Sequence, residues 1–164
     1  MRALLATGTF LLLSAHLLSP SLAESMDVAG WKVDRTDDKS TCTLLSVSDD
    51  KKGGFLLGVN TGNLAFIGLV DTELKLKPGA AFQASYHVDK GAPTKINGQA
   101  ASETTYLLPL GSWKEAQPVF DTAAAGTTVY IDVAGDSYEY SLTGSKDAIA
   151  EFDKCAASIG MAAP

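Results

Sequence analysis

The chain has 164 residues, and its 13 lysine and arginine side chains against 19 aspartate and glutamate side chains give a formal net charge of −6. Binding to nucleic-acid phosphates requires a concentrated basic surface, which this composition does not provide, so no nucleic-acid partner is predicted. Beyond the N-terminal stretch, no apolar segment is long enough to cross a bilayer, so no membrane span is predicted either.

The first 23 residues have the three parts of a secretory signal peptide. Arg2 supplies the positive charge, an apolar run follows it, and Ser21 and Ala23 place small side chains at the expected cleavage site. The apolar run is too short to span a bilayer. We therefore expect residues 1–23 to be removed and residues 24–164 to form a single β-rich domain that is periplasmic or secreted.

Strand signals dominate the rest of the chain. Nine stretches alternate between apolar and polar residues or are continuously apolar, as β-strands do. They are residues 31–35, 40–47, 55–59, 64–70, 81–89, 94–100, 104–110, 127–133 and 138–142. Short polar or glycine-containing turns predict that the first and second, the third and fourth, and the last two form hairpins. The run "LAFIGLV" is apolar on both faces, which predicts a central strand covered on both sides.

Near the end of the chain, the apolar residues recur with the spacing of a helix rather than that of a strand. Ser145 is a candidate N-cap, and the apolar residues after it recur at three- and four-residue spacing, as in a helix that packs one face down. The segment "SWKEAQPVF" predicts a helical turn limited by Pro118. The expected fold is therefore all-β, mainly an antiparallel sandwich or barrel of about eight or nine strands, with a short C-terminal α-helix.

The chain has two cysteines, Cys42 and Cys155. An exported chain enters an oxidising compartment, so we expect the two to form one disulfide bond between the second predicted strand and the terminal helix. A redox pair or a metal site is the alternative, but there is no C-x-x-C spacing and no further ligand close to either cysteine. The bond would hold in place a helix that is too short to be stable alone.

One histidine, His87, follows the expected cleavage site. It lies on the polar side of its strand with Asp89 two residues on, so the pair could contact a metal or act as a base with its orienting carboxylate. However, a metal site needs three or four ligands, and no G-x-S-x-G motif marks a nucleophilic serine. We interpret His87 as an exposed strand residue and predict no catalytic residue, no metal and no cofactor.

Two aromatic residues are candidates for binding. Trp113 lies in a predicted loop among charged residues, where core packing does not readily explain a large apolar ring. It is a candidate binding anchor, with simple capping of the core as the alternative. Tyr130 alternates with apolar residues in its strand and is expected at the surface.

Four stretches give the chain a resemblance to a known family. They are an early "GWKV" strand, a following strand with a cysteine ("STCTLL"), the segment "LKLKPGAAF" and the ending "YSLTGSKDAIAEFDKC". In this layout the chain resembles small exported proteobacterial β-rich proteins of the invasion-associated locus B type. The resemblance implies a periplasmic or surface-associated β-rich protein without established catalytic residues.

These observations favour a non-enzymatic exported β-domain that binds another component of the cell envelope, a protein or another molecule. The alternative is a secreted inhibitor of a protease or lysozyme, since a small disulfide-locked β-fold holds a loop rigidly. A small hydrolase that uses His87 ranks last. A binding domain should show an apolar surface patch, an inhibitor a rigid exposed loop, and a hydrolase a pocket that contains His87.

Overall fold

The computed structural model of the protein describes residues 24–48 and 52–161, in which there are ten β-strands and two α-helices. The strands are β1 (Glu24–Val28), β2 (Trp31–Arg35), β3 (Thr41–Val47), β4 (Gly53–Asn60), β5 (Ala65–Asp71), β6 (Ala81–Val88), β7 (Thr94–Ala100), β8 (Thr105–Gly111), β9 (Thr128–Val133) and β10 (Asp136–Ser141). The helices are α1 (Trp113–Ala125) and α2 (Ser145–Ser158). The predicted signal peptide lies outside the described residues.

All ten strands form one antiparallel sheet in the order β1-β2-β3-β4-β5-β8-β7-β6-β9-β10. The prediction of a mainly antiparallel β-fold with a C-terminal helix is therefore confirmed. In the described residues β1 and β10 are the two ends of the sheet, which is open rather than closed into a barrel. A hydrogen bond of 2.9 Å joins β2 to the segment after β10: the indole Nε1 of Trp31 donates it to the carbonyl oxygen of Thr143.

One face of the sheet, the inner face, carries the hydrophobic core. Residues opposite each other on paired strands share a face. Leu44, Leu57, Ile67 and Leu108 follow one another across β3, β4, β5 and β8, and all four are 0% exposed. The core continues into α1 and α2, whose apolar residues belong to the same buried cluster.

Strand β1 was not predicted from the sequence. It pairs with β2 through a two-residue turn in which Ala29 and Gly30 have φ values of 50° and 88°. The same pattern, with φ values of 56° and 98° at Ala134 and Gly135, joins β9 to β10. Positive φ at both positions suits two-residue hairpins, but alanine rarely adopts it. An Ala-Gly pair is therefore a weak sequence signal for such a turn.

Helix α1 is longer than the single helical turn that the sequence predicted. The Ser112 hydroxyl accepts a hydrogen bond from the Glu115 backbone N–H, and the Glu115 carboxylate accepts one from the Ser112 N–H at 2.8 Å, which is a capping box. Pro118 lies inside the helix and costs it about 3 kcal/mol relative to alanine. Burial of Trp113 and Phe120, which are 3% and 1% exposed, offsets that cost.

Helix α2 begins at a close approach between backbones. Gly144 has a φ of 81°, and a Cβ atom there would lie 2.4 Å from the carbonyl oxygen of Ala29, so only glycine fits. The prediction that Ser145 caps the helix is wrong, because Gly144 occupies the N-cap position. Ser145 is the first helical residue, and its hydroxyl donates a 2.8 Å hydrogen bond to the carbonyl oxygen of Ala123 at the end of α1.

A disulfide bond and an aromatic cluster fix α2 on the inner face. Cys42 on β3 and Cys155 on α2 are bonded, with Cα atoms 6.0 Å apart. The ring of Phe152 stacks on Phe120 at a centroid distance of 5.5 Å and meets the edge of Trp113 at 5.8 Å. Both helices are thus held to each other and to the sheet.

Asp153, on α2, is expected to make stability depend on pH. Its Oδ1 atom is buried without a hydrogen-bond partner in the described part of the chain. Burial, with a smaller contribution from the charge of Asp121, raises the pKa of Asp153 in the folded protein. The folded state then binds the proton more readily than the unfolded state. Stability is therefore expected to fall as pH rises from the unfolded pKa of about 3.9 through the raised folded value.

Replacing Asp153 with asparagine should accordingly raise the thermal midpoint at neutral pH. The gain should disappear below the unfolded pKa, where the carboxyl group is protonated in both states. Thermal unfolding of the wild type and of Asp153→Asn across this pH range measures it, with the exposed Asp147→Asn on the same helix as the control. A gain that did not change with pH would contradict the expectation.

Candidate functional site

The side chains of His87 and Asp89 do not form the pair considered from the sequence. Asp89, expected beside it, has a φ of 50°, so the strand alternation ends before it. Its carboxylate accepts hydrogen bonds from the backbone N–H groups of Thr127 and Thr128, and hydrogen bonding, chiefly from the Thr127 hydroxyl, lowers the pKa of Asp89. Instead, Nδ1 of His87 lies 2.9 Å from the backbone carbonyl oxygen of Asp89. The His87 ring stacks on the ring of Tyr130, with a centroid distance of 4.7 Å. His87 is therefore half-buried rather than exposed.

His87→Ala is expected to change the free energy of unfolding by less than about 1 kcal/mol, because the variant loses a partly exposed stacking contact and no core packing. Chemical denaturation of both proteins measures the change. The metal content of the two purified proteins should also be the same. A loss of bound metal in the variant would instead support a role of His87 in chemistry.

The two aromatic binding candidates lie in different environments. Tyr130 is half-buried on the face of the sheet opposite the core, where its ring stacks on His87. Its role in binding stays a prediction. Trp113 does not lie in an exposed loop. It is the first residue of α1, it is 3% exposed, and its ring packs on Phe120 at 5.0 Å. The alternative interpretation, that Trp113 packs on the core, therefore holds, and the surface-anchor interpretation does not. The ring is needed where α1 meets α2.

The outer face of the sheet carries an apolar surface that is separate from the core. We call it the outer-face patch. Its residues lie on β3, β4, β5 and β8, and none of them belongs to the core or packs against it. They are Leu45, Val47, Leu56, Phe66, Val70, Leu107 and Pro109.

Strand register brings the patch together. Leu45 lies opposite Leu56, Leu56 opposite Gly68, and Gly68 opposite Leu107, so one row crosses four strands. The three leucines are partly exposed, and Val47 at the margin is 46% exposed. The patch is therefore a continuous apolar surface rather than a set of scattered side chains.

Glycines within the patch make it flat. A Cβ atom on Gly58 would lie 2.2 Å from the ring of Phe66, so the missing side chain lets that ring lie across β4. Phe66 is only 9% exposed although it faces outward. A Cβ atom on Gly68 would lie 2.9 Å from Leu107, which fills the space in the same way. Flat apolar surfaces of this kind suit contact with another surface better than enclosure of a small molecule.

Polar residues flank the patch on both sides. On β2, Lys32 lies opposite Leu45 and pairs with Asp34 at 3.8 Å between Nζ and Oδ2. On β7, the exposed Gln99 lies opposite Leu107. An apolar centre with a polar margin is the usual arrangement of a protein–protein interface.

The sequence contained a signal for this surface. β5 is a central strand, between β4 and β8, and its residues 65–69 are buried on both faces, as predicted. The sequence did not show that neighbouring side chains of the same sheet cover the outward face, and that the outward residues Phe66 and Val70 lie in the patch.

No group of three or more histidine, cysteine, aspartate or glutamate side chains in residues 24–48 and 52–161 is arranged to hold a metal ion. None of the helices in these residues is long and apolar enough to cross a membrane.

Comparison with known proteins shows the fold. The chain is similar to the crystal structure of invasion associated protein B from Bartonella henselae, with a TM-score of 0.50 and 15% identity over 79% of this chain and 96% of that one. The resemblance to the invasion-associated locus B type drawn from the sequence is therefore confirmed at the level of the fold. Neither a family model nor a curated protein sequence matches the chain.

Proposed function

We propose that the protein is an exported, non-enzymatic binding domain that uses its outer-face patch to bind another protein of the cell envelope. The single observation that carries the proposal is the row of Leu45, Leu56 and Leu107 on the face opposite the core. This row lies outside the hydrophobic core, which is on the other face of the sheet. Contiguous exposed apolar surface with a polar margin is typical of interaction sites.

The loops give less support to the inhibitor alternative. The longest connection between strands that contains no helix in the described residues is 72–80. Leu74 and Leu76 hold it down by packing against the core. The backbone N–H of Leu76 also donates a 3.0 Å hydrogen bond to the carbonyl oxygen of Glu103. A loop held flat in this way does not present a protruding segment to a protease cleft.

The test compares the binding of envelope proteins by two outward-facing variants. Leu56→Glu places a charge in the centre of the patch, whereas Gln83→Glu places the same charge on the same face of the sheet, at an exposed position of β6 outside the patch. Each immobilised protein is incubated with solubilised envelope proteins, and thermal unfolding checks that both variants fold. We expect a protein that the wild type and Gln83→Glu retain and that Leu56→Glu loses, because burying an unpaired carboxylate is costly. Equal retention by all three would overturn the proposal.

A further inference from the structure

In residues 24–48 and 52–161, no strand pairs with the edge of β10 that faces away from β9. The last pair in the β9–β10 register is Ser141 opposite Thr128, so Leu142 would lie opposite Thr127. The backbone N–H of Leu142 donates a 2.8 Å hydrogen bond to the carbonyl oxygen of Thr127, so this is a hydrogen-bonded pair. Hydrogen-bonded positions alternate along an antiparallel pair. Tyr138 and Tyr140 therefore direct their backbone groups toward β9, whereas Ser137 and Glu139 direct theirs away from the sheet. In the described residues β10 pairs with β9 alone.

A cleft of about 540 Å³ opens beside this edge, between residues 71–76 and the β9–β10 hairpin. Leu74, Leu76 and Val133 line it together with the ring of Tyr138. Burial, followed by the charges of Asp136 and Asp71, raises the pKa of Tyr138. The apolar floor and the strand edge thus lie side by side.

The charges around the cleft are mostly negative. Asp71, Glu73 and Asp136 line it, against one lining lysine, Lys75. Glu73 is paired with Lys52 outside the cleft, and the Asp71 carboxylate accepts a 2.7 Å hydrogen bond from the backbone N–H of Glu73. The cleft is therefore complementary to a ligand that carries positive charge.

We infer that an extended peptide segment with alternating apolar and basic side chains binds along the outer edge of β10. Its backbone pairs with Ser137 and Glu139, an apolar side chain enters the cleft, and a lysine or arginine lies near Asp136. Addition of a strand to a sheet edge gives affinity through main-chain hydrogen bonds and selectivity through the side-chain pockets. This site is separate from the outer-face patch and does not depend on it.

The probe is a short fluorescein-labelled peptide of alternating valine and lysine, whose binding to the protein is followed by fluorescence anisotropy. We expect saturable binding that weakens with added salt. Asp136→Asn should weaken it about three- to fivefold, as expected for loss of one surface ion pair. Asp37→Asn, which removes the same charge from the exposed turn between β2 and β3, should leave it unchanged.

A second comparison tests the backbone pairing. Glu139→Pro removes an outward N–H that the sheet itself does not use, so it should weaken binding about tenfold while the protein stays folded. The same peptide with N-methyl groups on alternate amides tests the pairing without any change to the protein, and it should not bind. Equal binding of the methylated peptide, equal weakening by Asp37→Asn and Asp136→Asn, or no binding by the wild type would overturn the inference.

Discussion

Phe152→Ala is expected to lower the free energy of unfolding by about 3–5 kcal/mol, the usual cost of truncating a fully buried phenylalanine. Phe152 is 0% exposed and contacts both Phe120 and Trp113, so the cavity would open where the two helices meet. Chemical denaturation with the disulfide intact measures the loss. α2 cannot drift away to relieve the cavity, because Cys155 stays bonded to Cys42.

The control on the same helix is Glu151→Ala. Glu151 is partly exposed and pairs with Lys154 through a surface contact, which contributes less than about 1 kcal/mol. In the reduced protein, Phe152→Ala should also release α2 to proteolysis near Lys146 and Lys154, whereas Glu151→Ala should not. Similar small effects of the two substitutions would show that α2 does not depend on this ring.

Removal of the disulfide bond is also expected to lower stability strongly. Cys42 and Cys155 are 113 residues apart in sequence, and closing a loop of that length restricts the unfolded chain by about 4–5 kcal/mol in the chain-entropy account. The double variant Cys42→Ser/Cys155→Ser should lose about this much stability, measured by denaturant unfolding. In the unreduced wild type, thiol-specific labelling should find no free thiol. Stoichiometric labelling of the folded, unreduced protein would contradict this account.

The strand pattern was predictable because it depends on local alternation. The segments around Phe82 and Tyr86, or Val129 and Ile131, alternate clearly, and they are strands in the structure. Helix α1 was not predictable in the same way. Pro118 argues against a helix locally. The contacts of Trp113 and Phe120 with Phe152, which favour the helix, come from α2, distant in sequence.

The environment of Trp113 and the outer-face patch also depend on contacts that local sequence does not show. The Trp113 ring meets Phe120 only when α1 is helical, and it meets Phe152 only once α2 has packed on α1. For the patch, sequence shows that Leu56 and Phe66 are apolar, but which face each occupies and what covers that face depend on register and on where the helices pack. Local pattern therefore predicts the elements better than it predicts the surfaces that they leave exposed.

The strand order divides the sheet into three blocks, β1 to β5, β6 to β8 and the β9–β10 hairpin, that can assemble at different times. β1 to β5 follow one another as a meander, and β6 to β8 form a second run of neighbours, whereas the β5–β8 and β6–β9 junctions join strands distant in sequence. Contacts between distant segments form later, because closing long loops costs more chain entropy. During oxidative refolding, amides of β3 and β4 should thus gain protection from hydrogen exchange while the Cys42 thiol still reacts with an alkylating reagent. Formation of the disulfide would then be a late step that records arrival of the terminal helix rather than one that guides the sheet.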